Sequence, residues 1–420
     1  MIYWLPTGAE TIHSIFKLGR RLESGDQMDA LTASLADARL LIIDEISMVG
    51  SEQAYEVSHR LELVARTLWR RHHRGSRDCS AQGRLDSEPE DFGGFGGLGV
   101  LLVGDFGQIP PIGDSSLIAP GRGQSQTAAA GQRLFAEFRE VVRLRRVYRQ
   151  KGASEFKDST LRLRDAAMTV EDHALWASHD LSNLNMDPTL RNILEDEALW
   201  LLAENRRTGE HNGGKLVHLV TASGVPALAF AAEHSDEAAA RRPSDEFYQL
   251  RTMVHMARGA PVMLTANLLW DTCTVKLGLM NGARGRIVAI VGEHLPPALP
   301  IYIVVDFPDY RGHPFWPDHP TYVPVPPIRR QSKKSPKLER RQLPLRLAWA
   351  LTVHKSQGLT CSEGIVADLS SSTKTHLPAA SPGLPFVAWT RVTSWERMGF
   401  RNLPSFGDFL QVGLWLCRLS

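Results

Sequence analysis

The chain has 420 residues, enough for two or three domains, and its 43% hydrophobic content is ordinary for a folded globular protein. With 48 basic and 46 acidic side chains the net charge is +2, so bulk charge does not indicate a nucleic-acid-binding protein, although a local basic groove is compatible with it. The four cysteines form no CxxC pair, which argues against a zinc site or a disulfide framework. No apolar run approaches the roughly 20 residues that cross a bilayer, so we expect no membrane-spanning segment.

The first part of the chain alternates short apolar runs with helical patterns. Strands are predicted at IYWLP (2–6), LLII (40–43) and GVLLVGDF (99–106). LLII is unbroken rather than alternating, which is typical of a parallel strand covered on both faces. Helices are predicted in TIHSIFKLG (11–19), after a turn, at 53–71, and between the third strand and about residue 200. The polar, glycine-rich stretch 71–97 predicts a mobile, disordered insertion.

A second α/β unit is predicted from residue 199, where LWLLAEN is strand-like. Within it, 283–291 and 301–307 are predicted to be antiparallel strands, followed by a Pro-, Lys- and Arg-rich stretch. We therefore expect a small β module inserted at about 292–342. Strand followed by helix, repeated along the chain, predicts an α/β fold with domains at 1–198 and 199–420.

Two acidic residues, Asp44 and Glu45, directly follow the LLII strand. At the carboxyl end of a parallel strand an Asp can hold Mg²⁺ through water, and the neighbouring Glu can polarise an attacking water. The same pair is also compatible with acids at a helix N-terminus, where the helix dipole favours negative charge. Taken alone, the pair leaves both interpretations open.

A second polar cluster, VGDFGQIPPI (103–112), follows the next predicted strand. Asp105 would lie by the same crevice, and Gln108 could hydrogen-bond a terminal phosphate. A tight turn before two prolines would explain the same letters. Two polar clusters at neighbouring strand ends, however, are typical of a phosphate-transfer crevice.

The stretch LPLRLAWALTVHKSQGLT (343–360) is the most informative in the chain. Its apolar strand is followed by a dense set of polar residues and a glycine: Thr352, His354, Lys355, Ser356, Gln357 and Gly358. So many donors in one strand-end loop indicate contact with phosphates or a nucleic-acid backbone rather than a purely structural role.

Two arginines complete the candidate site. FVAWTRV (386–392) predicts a strand that ends at Arg391, and an Arg delivered from the second domain onto the first domain's nucleotide would act as an arginine finger. Arg149, in VYRQ (147–150), invites the same interpretation. Each is also compatible with an ordinary surface arginine.

Taken in order, these motifs resemble those of the PIF (petite integration frequency) type DNA helicases of superfamily 1, to which the helicase portion of Helitron transposons is similar. The resemblance is carried by PTG…TIHS (6–14), LLIIDEISM (40–48), VGDFGQIPP (103–111), VYRQ (147–150), GLMNGARG (278–285), LAWALTVHKSQGLT (347–360) and FVAWTR (386–391). It implies two RecA-like P-loop NTPase-type domains with a small inserted β-barrel. It also implies an ATP-dependent enzyme that moves 5′ to 3′ on single-stranded DNA and separates duplexes at junctions, in repair, recombination, telomere maintenance or transposition.

The resemblance also implies roles for particular residues, with ATP and Mg²⁺ as cofactors. Asp44 would serve Mg²⁺ and Glu45 the hydrolytic water. Gln108, Arg149 and Arg391 would contact the γ-phosphate, and Gln357 and Gly358 would lie on the nucleotide side. Thr11, His13, Thr352, His354, Lys355 and Ser356 would meet DNA, and Asn281 and Arg284 would face the strand or shape the second domain's loop.

The chain departs from the family pattern at the phosphate loop. GxxxxGK[ST] belongs before PTG, where this sequence has five residues, and HNGGKL (211–216) lacks both the leading Gly and the Ser/Thr. The amides and Lys of that loop neutralise the phosphates, so we predict weak or no ATP hydrolysis by these 420 residues. The strand leading into the loop is central in RecA-like sheets, so we expect an unpaired edge in the first domain.

Three hypotheses stay open at this point: an active helicase whose recorded sequence is truncated, a degenerate transposon-derived helicase that binds DNA without ATP turnover, and an adaptor that binds proteins. Intact later motifs favour the first. RRQSKK (329–334) suits a nuclear signal or a solvated basic loop, and we expect a nuclear location, with the mitochondrion as the alternative if the start is missing. The oligomeric state is not readable from the sequence.

Overall fold

The computed structural model describes residues 2–4, 8–18, 25–74, 88–119, 124–150, 154–268, 277–292, 296–370 and 383–409. These residues form two α/β domains and an antiparallel β module, in agreement with the fold class predicted from the sequence. Within the described residues, no helix combines the length and the apolar character needed to cross a membrane.

The first domain is built on a four-stranded sheet in the order β2-β1-β3-β4. Its elements are β1 (Ile2–Trp4), β2 (Gly8–Glu10), α1 (Ile12–Phe16), α2 (Gly25–Leu35), β3 (Leu40–Ile43), α3 (Ser51–Arg74), β4 (Gly99–Leu102) and α4 (Gln126–Ala136). β3 and β4 are parallel, as the apolar run predicts, whereas β1 runs antiparallel to β3. Leu41 and Ile43 pack with α3, but Leu40 on the opposite face is 51% exposed. The prediction that LLII is covered on both faces is therefore wrong.

Exposed apolar residues lie in the segment that follows α4. Among the described residues, β4 pairs with β3 alone. Residues 139–148 are all exposed and include Val141, Val142 and Leu144, and 139–147 make no backbone hydrogen bond to other described residues. An extended, unpaired apolar segment of this kind is a template for aggregation.

The predicted insertion is ordered at both ends. α3 continues to Arg74, and Arg66 and Arg70 form salt bridges with Glu88. The Phe95 N–H donates to the hydroxyl of Ser58 on α3 at 2.9 Å, and the Phe95 ring joins the core. The prediction that all of 71–97 is disordered is therefore wrong, and its middle part, 75–87, lies outside the described residues.

The second domain begins earlier than the sequence predicted. Its first elements are α5 (Glu155–Arg164), α6 (Val170–Ser178), α7 (Pro188–Asp196), β5 (Leu199–Leu202) and α8 (Asn205–Ser223). Trp176 of α6 is fully buried in the core that contains Leu199 and Leu201, and Leu194 of α7 packs against Val366. The boundary therefore lies near residue 150 rather than 198, because the apolar faces of α5, α6 and α7 complete the second domain.

The inserted β module is also larger than predicted. Its elements are β6 (Leu228–Ala231), β7 (Glu233–His234), α9 (Glu237–Arg241), β8 (Met253–Met256), β9 (Pro261–Leu264), β10 (Arg284–Val291), β11 (Tyr302–Asp306), β12 (Tyr322–Val325), β13 (Ile328–Gln331), β14 (Glu339–Gln342) and β15 (Leu345–Leu347). β12-β11-β10-β9-β15 form one antiparallel sheet, and β10 and β11 pair as the sequence predicts. The module thus extends outside 292–342, since β9 and β15 close it on both sides.

The chain then returns to the second domain's sheet. The remaining elements are β16 (Ala350–Thr352), α10 (Val353–Ser356), β17 (Ile365–Asp368), α11 (Leu384–Trp389) and β18 (Met398–Phe400), and the sheet order is β16-β5-β17-β18 with parallel pairing. FVAWTR was predicted to be a strand, and it forms a helix instead. Every residue of α11 is buried, so its sequence shows no alternation of apolar and polar residues that would distinguish a helix from a strand.

Candidate nucleotide cleft and nucleic-acid interface

The candidate cleft starts where β3 ends. Glu45 adopts left-handed backbone angles, φ 56° and ψ 46°, and its N–H donates to the Asp44 carboxylate at 2.9 Å. A residue other than glycine at positive φ is uncommon and is found preferentially at functional turns. Both carboxylates are half-buried at this turn.

Gln357 from the second domain joins the polar ends of both first-domain strands. Its side-chain amide donates to Glu45 Oε2 at 2.9 Å and to Gln108 Oε1 at 3.3 Å. The Oε1 atom of Gln357 is buried and has no hydrogen-bond partner among the described residues. Gln357 thus meets two residues that precede it by 312 and 249 positions, and all three were predicted to lie on the nucleotide side.

Asp105 and Gly383 hold the two domains together beside this point. Asp105 accepts two hydrogen bonds from the guanidinium of Arg164 on α5, at 2.7 and 2.8 Å, and one from the Gly107 N–H at 2.9 Å. The carboxylate raises the pKa of Arg164. A Cβ on Gly383 would lie 2.2 Å from the carbonyl oxygen of Gln108, so only glycine permits this approach. Arg164 lies outside every motif in the sequence, and its helix α5 was predicted to belong to the first domain.

The two predicted arginines lie on the second-domain wall of the cleft. Arg149 donates to the hydroxyl of Thr360 and to the carbonyl of Thr390, both at 3.0 Å. Arg391 is 2% exposed, and its guanidinium donates to three carbonyls, among them that of Ser356. Burial, with the neighbouring Arg149, lowers the pKa of Arg391 to about 10. Arg391 is therefore not presented to the cleft in this conformation, and the predicted phosphate contact requires it to leave these carbonyls.

The HKSQG loop separates into buried and accessible residues. Ser356 is fully buried and donates to the carbonyl of Val353 at 2.8 Å, and Thr352 is buried as well. Both residues are buried in this conformation, so the predicted contact of their hydroxyls with DNA requires the loop to move. His354 and Lys355 are half-buried and reach it. Gly358, at φ 81°, makes the turn that leaves the loop.

Burial changes the charge state of the two accessible loop residues. It lowers the pKa of His354. It also lowers the pKa of Lys355, with a further effect of Arg346 and Arg251, to about 8. The pair therefore presents a neutral imidazole and an easily titrated ammonium at neutral pH.

The remaining predicted DNA contacts lie on surface loops. Thr11 and His13 are exposed at the start of α1. Asn281 is exposed, and its N–H donates to the Asn267 side chain at 2.8 Å. Arg284 forms a salt bridge with Glu363, so it ties the 278–285 loop to the second domain and is not available as an unpaired cation.

The sequence of this chain is similar to those of known helicases. A family model described as PIF1-like helicase matches residues 4–173. The ATP-dependent DNA helicase PIF1 of Danio rerio is 28% identical over 403 residues, covering 93% of this chain and 51% of the relative. The human protein of the same name is 27% identical over 365 residues, covering 84% of this chain and 46% of the human protein. Residues 4–173 are therefore similar to the PIF1-like helicase family, and most of the chain is similar to individual PIF1 helicases. The chain spans about half the length of the curated relatives it matches.

Solved structures show the same fold. The Pif1 helicase from Candida albicans superposes with a TM-score of 0.63 at 20% identity, over 99% of this chain and 86% of that one. Bacteroides Pif1 bound to ssDNA superposes with a TM-score of 0.61 at 20% identity, over 96% of this chain and 80% of that one. This likeness confirms the predicted fold of two RecA-like domains.

Proposed function

We propose that this PIF1-like chain carries the motor cleft and the DNA-binding surface of an ATP-dependent helicase that moves 5′ to 3′ on single-stranded DNA and separates duplexes at junctions. The contact of Gln357 with Glu45 and Gln108 is the main support. It joins the carboxylate that would activate water in one domain to the loop that would hold DNA in the other. The Pif1 structures solved with ssDNA and with forked dsDNA favour the same class of partner.

ATP and Mg²⁺ are the proposed cofactors. Mg²⁺ in phosphate-transfer sites is commonly held by one or two carboxylates together with water and substrate phosphates. Asp44, the carboxylate at the end of β3, fits that role. Among the described residues no group of three or more acidic, His or Cys side chains forms a cage that would hold a metal alone. The donor set therefore suits an ion shared with a bound triphosphate.

The residues of the cleft have separable tasks in this proposal. Glu45 polarises the attacking water, and Gln108 orients it or the terminal phosphate. To do so, both must release the amide of Gln357. Gln357 lies two residues after Lys355, so its release shifts the loop that contacts DNA. The cleft and the DNA surface are therefore coupled through the short segment from Lys355 to Gln357.

A second candidate is DNA binding without ATP turnover. The 420 residues contain no GxxxxGK[ST], and Gln357 already occupies Glu45 and Gln108. Without loop amides and the loop Lys, the charge of a triphosphate is poorly neutralised. For the 420-residue chain by itself we therefore expect single-strand binding with weak or no hydrolysis.

ATP hydrolysis with and without a single-stranded oligonucleotide separates the two candidates. The wild-type chain, Glu45→Gln and the matched surface control Glu237→Gln, whose side chain is 79% exposed on α9, are compared. DNA-stimulated hydrolysis that Glu45→Gln abolishes and Glu237→Gln retains would establish the motor function and exclude the second candidate. Hydrolysis that is equal in all three would contradict the assignment of Glu45. A chain that binds no oligonucleotide would contradict both candidates.

We also propose a nuclear location, with a mitochondrial one as the alternative. The support is the basic run 329–334, in which Lys333 and Lys334 are exposed after β13. A fluorescent fusion carrying Lys333→Ala and Lys334→Ala should lose nuclear enrichment. Unchanged enrichment would contradict the proposal. Repair, recombination, telomere maintenance and transposition are the processes in which such an enzyme would act.

A further inference from the structure

A groove outside the cleft lies between α8 and the edges of two strands. Its volume is about 430 Å³, within the range of ligand-binding pockets, and its lining comes from α8, β8 and β15. Leu216, Met253 and Leu347 contribute apolar side chains to it. Among the described sheets, β8 and β15 are both edge strands, and the carbonyl of Leu347 on β15 accepts a hydrogen bond from the Asn212 side chain of α8 at 3.3 Å.

Two glycines keep the α8 side of the groove open. A Cβ added at Gly209 or at Gly213 would meet no atom within 4 Å, so neither glycine is required by packing. Glycine inside a helix destabilises it relative to alanine. Their placement on the helix face that lines the groove is explained by the space they leave there.

The groove is positively charged and contains no carboxylate. Arg251 and Arg346 line it, and Lys355 lies close enough for their charges to lower its pKa. None of the three has an ion pair or hydrogen bond with another described residue, and the Nε of Arg346 is buried without an acceptor. Arg251 is exposed, whereas Arg346 and Lys355 are half-buried. Like charges held close together are unfavourable until an anion joins them.

We propose that this groove binds one nucleotide unit of a single nucleic-acid strand, with the phosphodiester on Arg251 and Arg346 and the base against the apolar floor. The inference rests on the proposed function, because Lys355 belongs to the HKSQG loop. That loop extends the line of positive charge from the groove toward the cleft. A strand uses both the groove and Lys355, whereas an acidic peptide would leave the base-sized apolar floor unfilled.

The test compares a 12-nucleotide deoxythymidylate strand with an abasic strand of equal length and charge. Arg251→Gln and Arg346→Gln are measured beside Arg258→Gln, which removes an exposed arginine on the β8–β9 turn outside the groove. Each groove variant should flatten the slope of log K against log salt by about 0.7, the effect of one lost phosphate contact on a single strand. Arg258→Gln should leave the slope unchanged.

A separate variant tests the position of the base. Gly213→Leu fills the groove without removing charge. The wild-type chain should prefer the thymidylate strand over the abasic strand by about fivefold or more, as one base contact supplies. Gly213→Leu should bring the two affinities together. Arg346→Lys, which retains the charge, should restore the salt slope if the loss in Arg346→Gln reflects charge rather than misfolding.

The outcomes distinguish the groove from the function on which it rests. If the wild-type chain binds neither strand, the proposed function fails and the groove assignment fails with it. If both strands bind but the groove variants behave like Arg258→Gln, only the groove assignment is overturned. Equal affinity of the wild-type chain for the two strands would overturn the base site. Displacement of the strand by free thymidine monophosphate at the same phosphate concentration would assign the groove to a mononucleotide and overturn its assignment to a strand.

Discussion

Lys355 should make DNA binding depend on pH in the range 7–9. Burial and the nearby charges of Arg346 and Arg251 lower its pKa to about 8 in the free chain. A bound phosphate favours the charged ammonium and raises that pKa again. His354 stays neutral in this range, since burial lowers its pKa, and contributes no pH dependence.

The magnitude follows from the protonated fraction of Lys355. With a pKa of about 8, the fraction falls from about nine-tenths at pH 7 to about one-tenth at pH 9. Affinity for a single strand should fall about tenfold, or about 1.4 kcal/mol. In the absence of DNA, the free energy of unfolding depends on pH with the opposite sign. The folded state releases the Lys355 proton before the unfolded state does, so stability rises as pH increases from about 8 to about 10.5.

Fluorescence anisotropy of a labelled strand at constant ionic strength measures this dependence. Lys355→Arg retains the charge up to pH 9 and should bind with little pH dependence, and it also controls for titration of the bases. Lys355→Met should bind weakly at every pH. Parallel pH profiles for the wild-type chain and Lys355→Arg would refute the reasoning.

Other predictions follow from particular contacts. Asp105→Asn should lower the free energy of unfolding, measured in urea, by about 1.5–3 kcal/mol, because it breaks a half-buried charge-assisted pair with Arg164. Asp165→Asn, which removes the exposed partner of the same arginine, should cost under about 1 kcal/mol. Equal losses for the two variants would contradict this difference. Trp176→Ala should cost about 3–5 kcal/mol if α6 belongs to the second domain's core, and a loss under about 1 kcal/mol would restore the boundary at 198. Val142→Ser with Leu144→Ser should raise the concentration at which light scattering detects aggregation, with little change in the unfolding midpoint; unchanged scattering would show that this segment is not the aggregation site.

The closeness of Glu45 and Gln108 was predictable from the sequence, because neighbouring parallel strands bring their carboxyl ends together. Glu45 and Gln108 follow neighbouring strands, and the polar density around Gln357 indicated a loop at a third strand end. The sequence is less informative where the answer depends on tertiary packing. The identity of Ser356 as a serine does not indicate whether its side chain faces DNA or the core. The side chain of Ser356 points inward because α10 is a short helix packed on its own domain.

Two other features depend on packing in the same way. Helices α5 to α7 follow the first domain in the chain, and only their burial against Leu199 and Leu201 shows that they belong to the second. Arg251 and Arg346 carry no motif and are separated by 95 positions, so their joint groove is visible only in the folded chain. Motif order therefore locates the chemistry, whereas packing decides which side chains can reach it.

The salt dependence of single-strand binding tests most directly whether the surface around the HKSQG loop is a nucleic-acid interface. Affinity of the 420-residue chain for a 12-nucleotide strand is measured over a range of potassium chloride concentrations. We expect log K to fall linearly with log salt, with a slope of about −2 or steeper for three or more phosphate contacts. Lys355→Met should give a shallower slope. No binding, or binding that salt does not weaken, would contradict this expectation.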